Sequence, residues 1–146
     1  MSAWLYQMTT KEIDGEPWNP EEYRLQVWEG DDITWNAHKI NDRNQGAISS
    51  GDLVVLFFSK SRTKDYGIYG WGIITKFNSR TNKITFTPTF PSDYLKTSPV
   101  WDERIESVID QIRVPTPHSG TMWAMTVEEF KVFRTAIRGH FGPAAL

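Results

Sequence analysis

The sequence contains no cysteine, which excludes disulfide bonds, thiolate metal sites and cysteine nucleophiles. It also contains no apolar run of the roughly 18 residues that a membrane helix needs. The first residues, Met1 to Trp4, do not show the basic and then apolar segments of a secretion signal. A length of 146 residues corresponds to one domain, spanning 1–146. We therefore expect a soluble cytoplasmic protein of one domain.

Histidine is scarce, and the residues that usually carry catalysis form no known motif. His38, His118 and His140 are far apart and have no metal-ligand spacing. There is no Gly-x-Ser-x-Gly elbow and no phosphate-binding Gly-x-x-x-x-Gly-Lys loop. The glycines at 67, 70 and 72 do not join a strand to a helix, so they are no dinucleotide fingerprint. The sequence predicts no metal, no cofactor and no catalytic site.

Net charge is small, −2, but its distribution is uneven. Residues 1–50 carry four basic and nine acidic side chains, whereas residues 51–100 carry seven basic and three acidic ones. Lys60, Arg62 and Lys64 form a short basic loop within the second group. A local basic patch attracts an anionic polymer even on a neutral protein. On charge alone, a solvated loop with a few lysines is the preferred interpretation.

Aromatic residues are abundant: seven tryptophans, five tyrosines and eight phenylalanines. A core of this size does not require so many rings, so we expect some of them to line a surface or pocket. Stacked rings beside amide and hydroxyl groups suit a flat heterocycle, and base stacking on a ring contributes about 1–3 kcal/mol. The alternative is that these tryptophans simply fill the core.

The predicted fold is organised around residues 51–59, Gly-Asp-Leu-Val-Val-Leu-Phe-Phe-Ser. Both alternating sets of side chains are apolar, which predicts a strand covered on both faces. Residues 67–77 follow after a short loop and predict an antiparallel hairpin, although their three glycines require a close approach to the backbone. Residues 4–8, 33–37, 84–90 and 122–125 predict further strands, and Pro88 indicates an edge or a bulge.

Two helices complete the prediction. Ile105, Val108, Ile109 and Ile112 have helical spacing in a segment that ends before Pro115. Thr126 and Glu129 form a capping box for a second helix, which we expect Gly139 to close. The sequence thus predicts an α+β protein of five or six mostly antiparallel strands with peripheral helices. Closure of the sheet into a barrel would remove its exposed edges.

The order of several short segments resembles the EVE domain, a family of the PUA-like superfamily that also contains the YTH and ASCH domains. These segments are Trp28-Glu29-Gly30, Asn36-Ala37, Ser50-Gly51-Asp52-Leu53-Val54, Phe57-Phe58-Ser59, Gly67-Ile68-x-Gly70, Pro91-Ser92-Asp93 and Met125-Thr126-x-Glu128-Glu129-Phe130. The resemblance covers most of the chain. It departs from the family at Asp31 to His38, where the arginine usual in EVE domains is absent.

This resemblance implies a PUA-like pseudo-barrel that reads modified DNA or RNA without catalysis. A flipped base, such as a modified cytosine, would enter an aromatic pocket. The expected stacking walls are Trp28, Trp35, Tyr69 and Trp71, and the expected hydrogen-bonding groups are Thr34, Asn36, Ser59 and Asp93. Lys60, Arg62 and Lys64 would contact phosphates. A separately encoded nuclease or modification system is a candidate partner.

The sequence leaves two other functions open. The same pocket would suit a small nucleotide-like or heterocyclic metabolite without a polymer. An enzyme acting on nucleic acid would need an acid or base in the pocket, for which the sequence offers Asp93 and His38.

Overall fold

The computed structural model describes residues 1–8, 12–13, 16–17, 32–37, 39–59, 66–89, 100–113, 122–143 and 146. The strands are β1 (Ala3–Met8), β2 (Glu12–Ile13), β3 (Glu16–Pro17), β4 (Ile33–Asn36), β5 (Ile40–Asn41), β6 (Leu53–Phe58), β7 (Gly67–Asn78), β8 (Lys83–Thr89) and β9 (Met122–Met125). The helices are α1 (Glu103–Arg113) and α2 (Val127–Phe141).

Seven of these strands form one mixed sheet in the order β4-β8-β7-β6-β1-β9-β5, and β2 pairs with β3 separately. The predicted central strand is β6, and it forms the predicted antiparallel hairpin with β7. β1 pairs parallel with β6, as β5 does with β9, while the other pairings in the sheet are antiparallel. The predicted α+β class and mostly antiparallel sheet are confirmed. The main sheet has seven strands where five or six were predicted. One of the additional strands is β5, which at two residues is too short to leave a pattern in the sequence.

The sheet curls so that strands far apart in its order come into contact. Trp35 on β4 and Tyr6 on β1 have ring centroids 5.5 Å apart, although three strands separate β4 from β1 in the sheet. The Tyr6 hydroxyl also donates a hydrogen bond of 2.6 Å to the backbone oxygen of Asn36. The result is a half-barrel, with one face of the sheet turned inward.

Each face of the sheet has its own apolar core. The inner cluster fills the curl and contains Trp4, Tyr6, Met8, Val54, Leu56, Phe58, Tyr69, Ile74 and Phe86, with Trp35 half-buried against it. The outer cluster packs under the two helices and contains Leu5, Val55, Phe57, Ile68, Trp71, Trp123, Ile105, Ile109, Phe133 and Ile137. Strand β6 contributes to both clusters, which explains why both of its alternating sets are apolar.

The glycines and a bulge in β7 set how its side chains are distributed. A Cβ at Gly72 would lie 2.7 Å from the Thr87 backbone oxygen and 2.8 Å from Phe86 Cδ2, so the predicted close approach to the backbone is present there. On β6, Leu56 pairs with Gly70 and Phe57 pairs with Ile68, leaving Tyr69 as an extra residue. One extra residue reverses the alternation of faces. Tyr69 therefore faces inward, whereas Trp71 faces the helices.

The prediction for Pro88 is correct only in part. β8 is not an edge strand, because it pairs with both β7 and β4. Pairing with β4 ends at Phe86, however, so Pro88 lies beyond the last residue that β4 reaches. The missing N–H of Pro88 therefore costs no hydrogen bond on that side.

The predicted capping box at the start of α2 is confirmed: the Thr126 side chain and the Glu129 side chain each accept the other residue's backbone N–H. The predicted end at Gly139 is wrong, because the helix continues to Phe141. The next residue, Gly142, has a φ of 109° and caps the helix. Helix α1 buries Ile105, Ile109 and Ile112, as their spacing predicts. Neither helix is long and apolar enough to cross a membrane.

Two buried carboxylates connect distant segments. Asp52 accepts hydrogen bonds from the Ser2 and Ser49 backbone N–H groups and from Trp4 Nε1. Glu129 accepts two hydrogen bonds from the Arg43 guanidinium, one of 2.5 Å and one of 3.0 Å, and a further one from Gln111. Glu129 is 4% exposed. These contacts satisfy most of the hydrogen-bonding capacity that burial would otherwise leave open.

Candidate nucleic-acid interface

Most connections that carry predicted site residues leave the sheet at one end, which we call the loop end. Met8 pairs with Phe58, and Phe58 pairs with Gly67, so β1 and β6 end where β7 begins. β8 runs antiparallel to β7 and ends there, and β9 begins beside Tyr6. The chain therefore joins segments 9–31, 60–65, 90–99 and 114–121 to the described strands at the loop end.

Trp35 is the predicted stacking residue that the structure holds half-buried against the inner cluster. Its ring contacts Tyr6 at a centroid distance of 5.5 Å and Phe86 at 5.3 Å, the latter edge-on at 70°. These rings come from three strands, β4, β1 and β8. Such tilted and edge-on contacts are the preferred geometries for aromatic pairs and fix the plane of the indole.

Two further predicted residues, Tyr69 and Ser59, lie at the loop end. The Tyr69 ring packs edge-on against Phe58, with centroids 5.1 Å apart. Ser59 directly follows β6. Both residues are 2% exposed. The structure therefore places them beneath the surface of the loop end, with Tyr69 in the same inner cluster as Trp35.

Three predicted residues are not brought to the inner face. Alternation along β4 puts the exposed Thr34 and Asn36 on the side opposite Trp35. The Thr34 hydroxyl lies 2.9 Å from that of Thr85, and the backbone oxygen of Asn36 accepts a hydrogen bond from Tyr6 of the inner cluster. Trp71 is buried in the outer cluster, with its ring 5.5 Å from Phe141 of α2. The bulge at Tyr69 is the physical reason that Tyr69 and Trp71 separate.

The remaining predicted site residues lie outside the described residues. They are Trp28, Asp93, Lys60, Arg62 and Lys64, and the alternative acid–base candidate His38 also lies outside. Each of the first five belongs to one of the segments that join the sheet at the loop end.

Sequence reasoning missed Tyr6, Phe58 and Phe86 as partners of the predicted rings. The signal was present in the alternation of β1, where Trp4, Tyr6 and Met8 share a face. Burial raises the pKa of Tyr6, so its hydroxyl stays protonated and acts as the donor to Asn36. In the described part of the chain no three His, Asp or Glu side chains group as metal ligands would.

Solved structures share this architecture at low sequence identity. A hypothetical protein from Leishmania major has a TM-score of 0.60 and 14% identity, covering 93% of this chain and 94% of that one. Human THYN1, solved in complex with DNA containing 5-methylcytosine, has a TM-score of 0.54 and 14% identity over 91% and 95% of the two chains. A protein from Pseudomonas putida has a TM-score of 0.56 and 16% identity over 92% and 99%.

No protein-family model and no curated protein matches the sequence. At these identities, the structural likeness shows the fold alone. That fold is an α+β pseudo-barrel of the PUA-like type, as the sequence predicts.

Proposed function

We propose that this protein is a non-catalytic EVE-type reader of modified DNA, which takes a flipped modified base at the loop end of the half-barrel. The observation that carries the proposal is the match over more than nine-tenths of the chain to a fold that, in human THYN1, is solved with 5-methylcytosine DNA. The half-buried Trp35 and the inner cluster of rings support it, because a flipped base is held by stacking and by hydrogen bonds to its polar edge.

In this proposal Trp35 is the stacking wall among the described residues, and Tyr69 and Ser59 line the depth of the pocket. Trp28 and Asp93 complete the pocket from segments 9–31 and 90–99, which join the sheet at the loop end. Lys60, Arg62 and Lys64 contact phosphates beside it. Trp71 is buried under α2, outside the proposed pocket, and therefore provides a control tryptophan for the fluorescence experiment below.

Titration of tryptophan fluorescence tests the stacking step. Matched DNA oligonucleotides with cytosine or 5-methylcytosine at one position are added to the wild type, Trp35→Phe and Trp71→Phe. We expect quenching that depends on the modification, is smaller in Trp35→Phe, where Trp28 is the remaining pocket indole, and is unchanged in Trp71→Phe. Trp35→Ala should weaken binding by about 1–3 kcal/mol, the contribution of one base stacked on an aromatic ring. Equal affinity for the two oligonucleotides in the wild type would refute the reader function.

Salt dependence tests the phosphate contacts. The triple variant Lys60→Ala, Arg62→Ala, Lys64→Ala should lower the slope of log K against log[salt] by roughly 0.7–0.9 for each phosphate that the variant no longer neutralises. The control removes the same charge elsewhere, through Lys131→Ala, Arg134→Ala and Arg138→Ala on α2, which packs on the opposite side of the sheet from Trp35. A control variant whose slope falls as much as that of the loop variant would contradict the assigned position.

The same experiments separate the two other functions. A binder of a small heterocyclic metabolite would bind the free modified nucleoside as tightly as the oligonucleotide, and the lysine and arginine substitutions would change nothing. An enzyme would release a product from the modified oligonucleotide, and substitution of Asp93 or His38 would abolish the release.

A further inference from the structure

On the helix side of the sheet, the start of α1 and one face of α2 enclose a groove of about 460 Å³. We call it the helix-side groove. Trp101, Asp102 and Arg104 line one wall, and Thr135, Gly139 and His140 line the other. It is separate from the inner cluster, because the sheet lies between them. Its volume falls in the range of sites that hold a small organic group.

The groove reaches the loop end through one pair of rings. Trp101 packs edge-on against Tyr66, with centroids 5.1 Å apart, and Tyr66 directly precedes β7. The residue before Trp101, Val100, exchanges two backbone hydrogen bonds with Ile68, of 2.8 and 3.0 Å. These contacts hold the Trp101 wall against the first residues of β7. One wall of the groove is thus joined by direct contacts to the end of the sheet where β7 begins.

The chemistry of the walls suits a nucleotide. Trp101 is half-buried and offers a ring surface, which binds any base by stacking. Arg104 forms no ion pair with a described residue and is exposed, so its guanidinium can donate to a phosphate. Asp102 is turned toward α1, where its Oδ1 accepts the Ile105 N–H at 2.8 Å. His140 and Thr135 add hydrogen-bonding groups on the facing wall.

Gly139 leaves one wall of the groove without a side chain. It lies inside α2, where glycine costs about 1 kcal/mol relative to alanine. A Cβ at this position would meet nothing within 4 Å, so packing does not require the glycine. The absent side chain instead leaves the groove open at its wall.

We propose that the helix-side groove holds a second nucleotide of the same DNA strand, near the one whose modified base enters the barrel. A base stacks on Trp101, and Arg104 binds a phosphate. This inference rests on the proposed function, and it makes the site larger than a pocket for one base.

The test compares a single nucleoside with an oligonucleotide. The probes are 5-methyl-2′-deoxycytidine and a short single-stranded DNA carrying one 5-methylcytosine. Gly139→Leu fills the groove without a clash at its Cβ and replaces a helical glycine, so the variant should be at least as stable as the wild type. Gly139→Ala is the matched control, because it makes the same backbone change with little added volume.

We expect Gly139→Leu, Arg104→Ala and Trp101→Ala to weaken oligonucleotide binding by about 5-fold or more each, as removal of one stacked base or one bound phosphate does. Gly139→Ala should bind as the wild type does, and all four variants should keep the nucleoside affinity. The inference is overturned if the wild type distinguishes the modified oligonucleotide while Gly139→Leu and Arg104→Ala bind it unchanged. It is also overturned if nucleoside and oligonucleotide affinities fall together. Failure of the proposed function differs, because the wild type itself would then not recognise the modification.

Discussion

The two faces of the sheet are built by the same strands, yet they contain different kinds of core. Toward the helices, the sheet meets mostly aliphatic side chains of α1 and α2, such as Ile105, Ile109 and Ile137, which are at most 2% exposed. Toward the inside, rings from β1, β4 and β8 meet one another and leave Trp35 half-buried. Closed packing under the helices serves stability, whereas the half-buried Trp35 beside the inner rings also offers a surface for a planar ligand.

The largest effect that this comparison predicts is on the helix side. Trp123 is fully buried in the outer cluster, so Trp123→Ala should lower the free energy of unfolding by about 3–5 kcal/mol. Urea denaturation measures it. Trp35→Ala should cost clearly less, because that indole is half-buried at an end strand. DNA affinity per folded molecule should stay unchanged in Trp123→Ala and fall in Trp35→Ala. A larger loss of stability in Trp35→Ala, or a loss of DNA affinity in Trp123→Ala alone, would contradict the different roles of the two faces.

The charged contact of the helix side comes next. Glu129→Gln removes the charged partner of Arg43 but leaves its hydrogen bond to the Ala124 backbone oxygen. The substitution should cost about 2–3 kcal/mol, less than the loss of a fully buried pair, because Arg43 is 21% exposed. Burial by itself raises the pKa of Glu129, but the hydrogen bonds from Arg43 and Thr126 and the charge of Arg43 outweigh it, and the pKa lies below its ordinary value of 4.5.

The direction of this pKa shift predicts a pH dependence. Glu129 contributes its stability above pH 4.5, where it is ionised in both the folded and the unfolded chain, and loses it as the pH falls through the lower folded pKa. The free energy of unfolding, measured by denaturation at several acid pH values, should therefore fall less steeply with decreasing pH in Glu129→Gln than in the wild type. Equal slopes would show that Arg43 does not stabilise the ionised carboxylate.

On the inner face, Gly72→Ala tests how tightly β7 and β8 pack, because the added methyl group would clash with β8. Its Cβ would meet the Thr87 backbone oxygen at 2.7 Å and push Phe86, which in turn touches Trp35. We expect a loss of about 1–3 kcal/mol, typical of overpacking. Near-ultraviolet circular dichroism should change as well, because two packed rings move. Gly46→Ala, where no atom lies within 4 Å but φ is 101°, is the control for a strained backbone without a packing clash.

The smallest expected effect is at the closure of the half-barrel. Tyr6→Phe removes the 2.6 Å hydrogen bond that joins β1 to the backbone oxygen of Asn36 on β4. The expected cost is about 1 kcal/mol, the usual net contribution of one hydrogen bond. Amide hydrogen exchange should rise in β4 more than in β6, since β4 is an end strand. Unchanged exchange in β4 would show that ring packing alone holds the curl closed.

Local patterns predicted the elements well. The apolar run 53–58, the hairpin with 67–78 and the capping box of Thr126 and Glu129 are all found, because each depends on residues close in sequence. The predicted end of α2 at Gly139 is too early, because a glycine lowers the stability of a helix without ending it. Long-range contacts had no such signal: nothing near Glu129 indicates that Arg43, 86 residues away, would bind it.

The candidate site was predicted less completely, for two reasons of geometry. Strand alternation already separates Thr34 and Asn36 from Trp35, so their opposite faces could have been read from the sequence. The separation of Tyr69 from Trp71 could not, because a one-residue bulge depends on how β6 and β7 pair. The inner contact between Trp35 and Tyr6 depends on the curl of the whole sheet.

The position of β1 has a consequence for how the protein is made. Ala3 pairs with Leu53 on one side and with Met125 on the other, so this early segment lies between two late ones. A nascent chain leaving the ribosome would carry Trp4 and Leu5 uncovered until residues 122–125 have been synthesised. Pairing between strands so far apart in sequence makes folding slow, and apolar surface stays exposed until the strands have paired. We expect the sheet to close only after translation of β9.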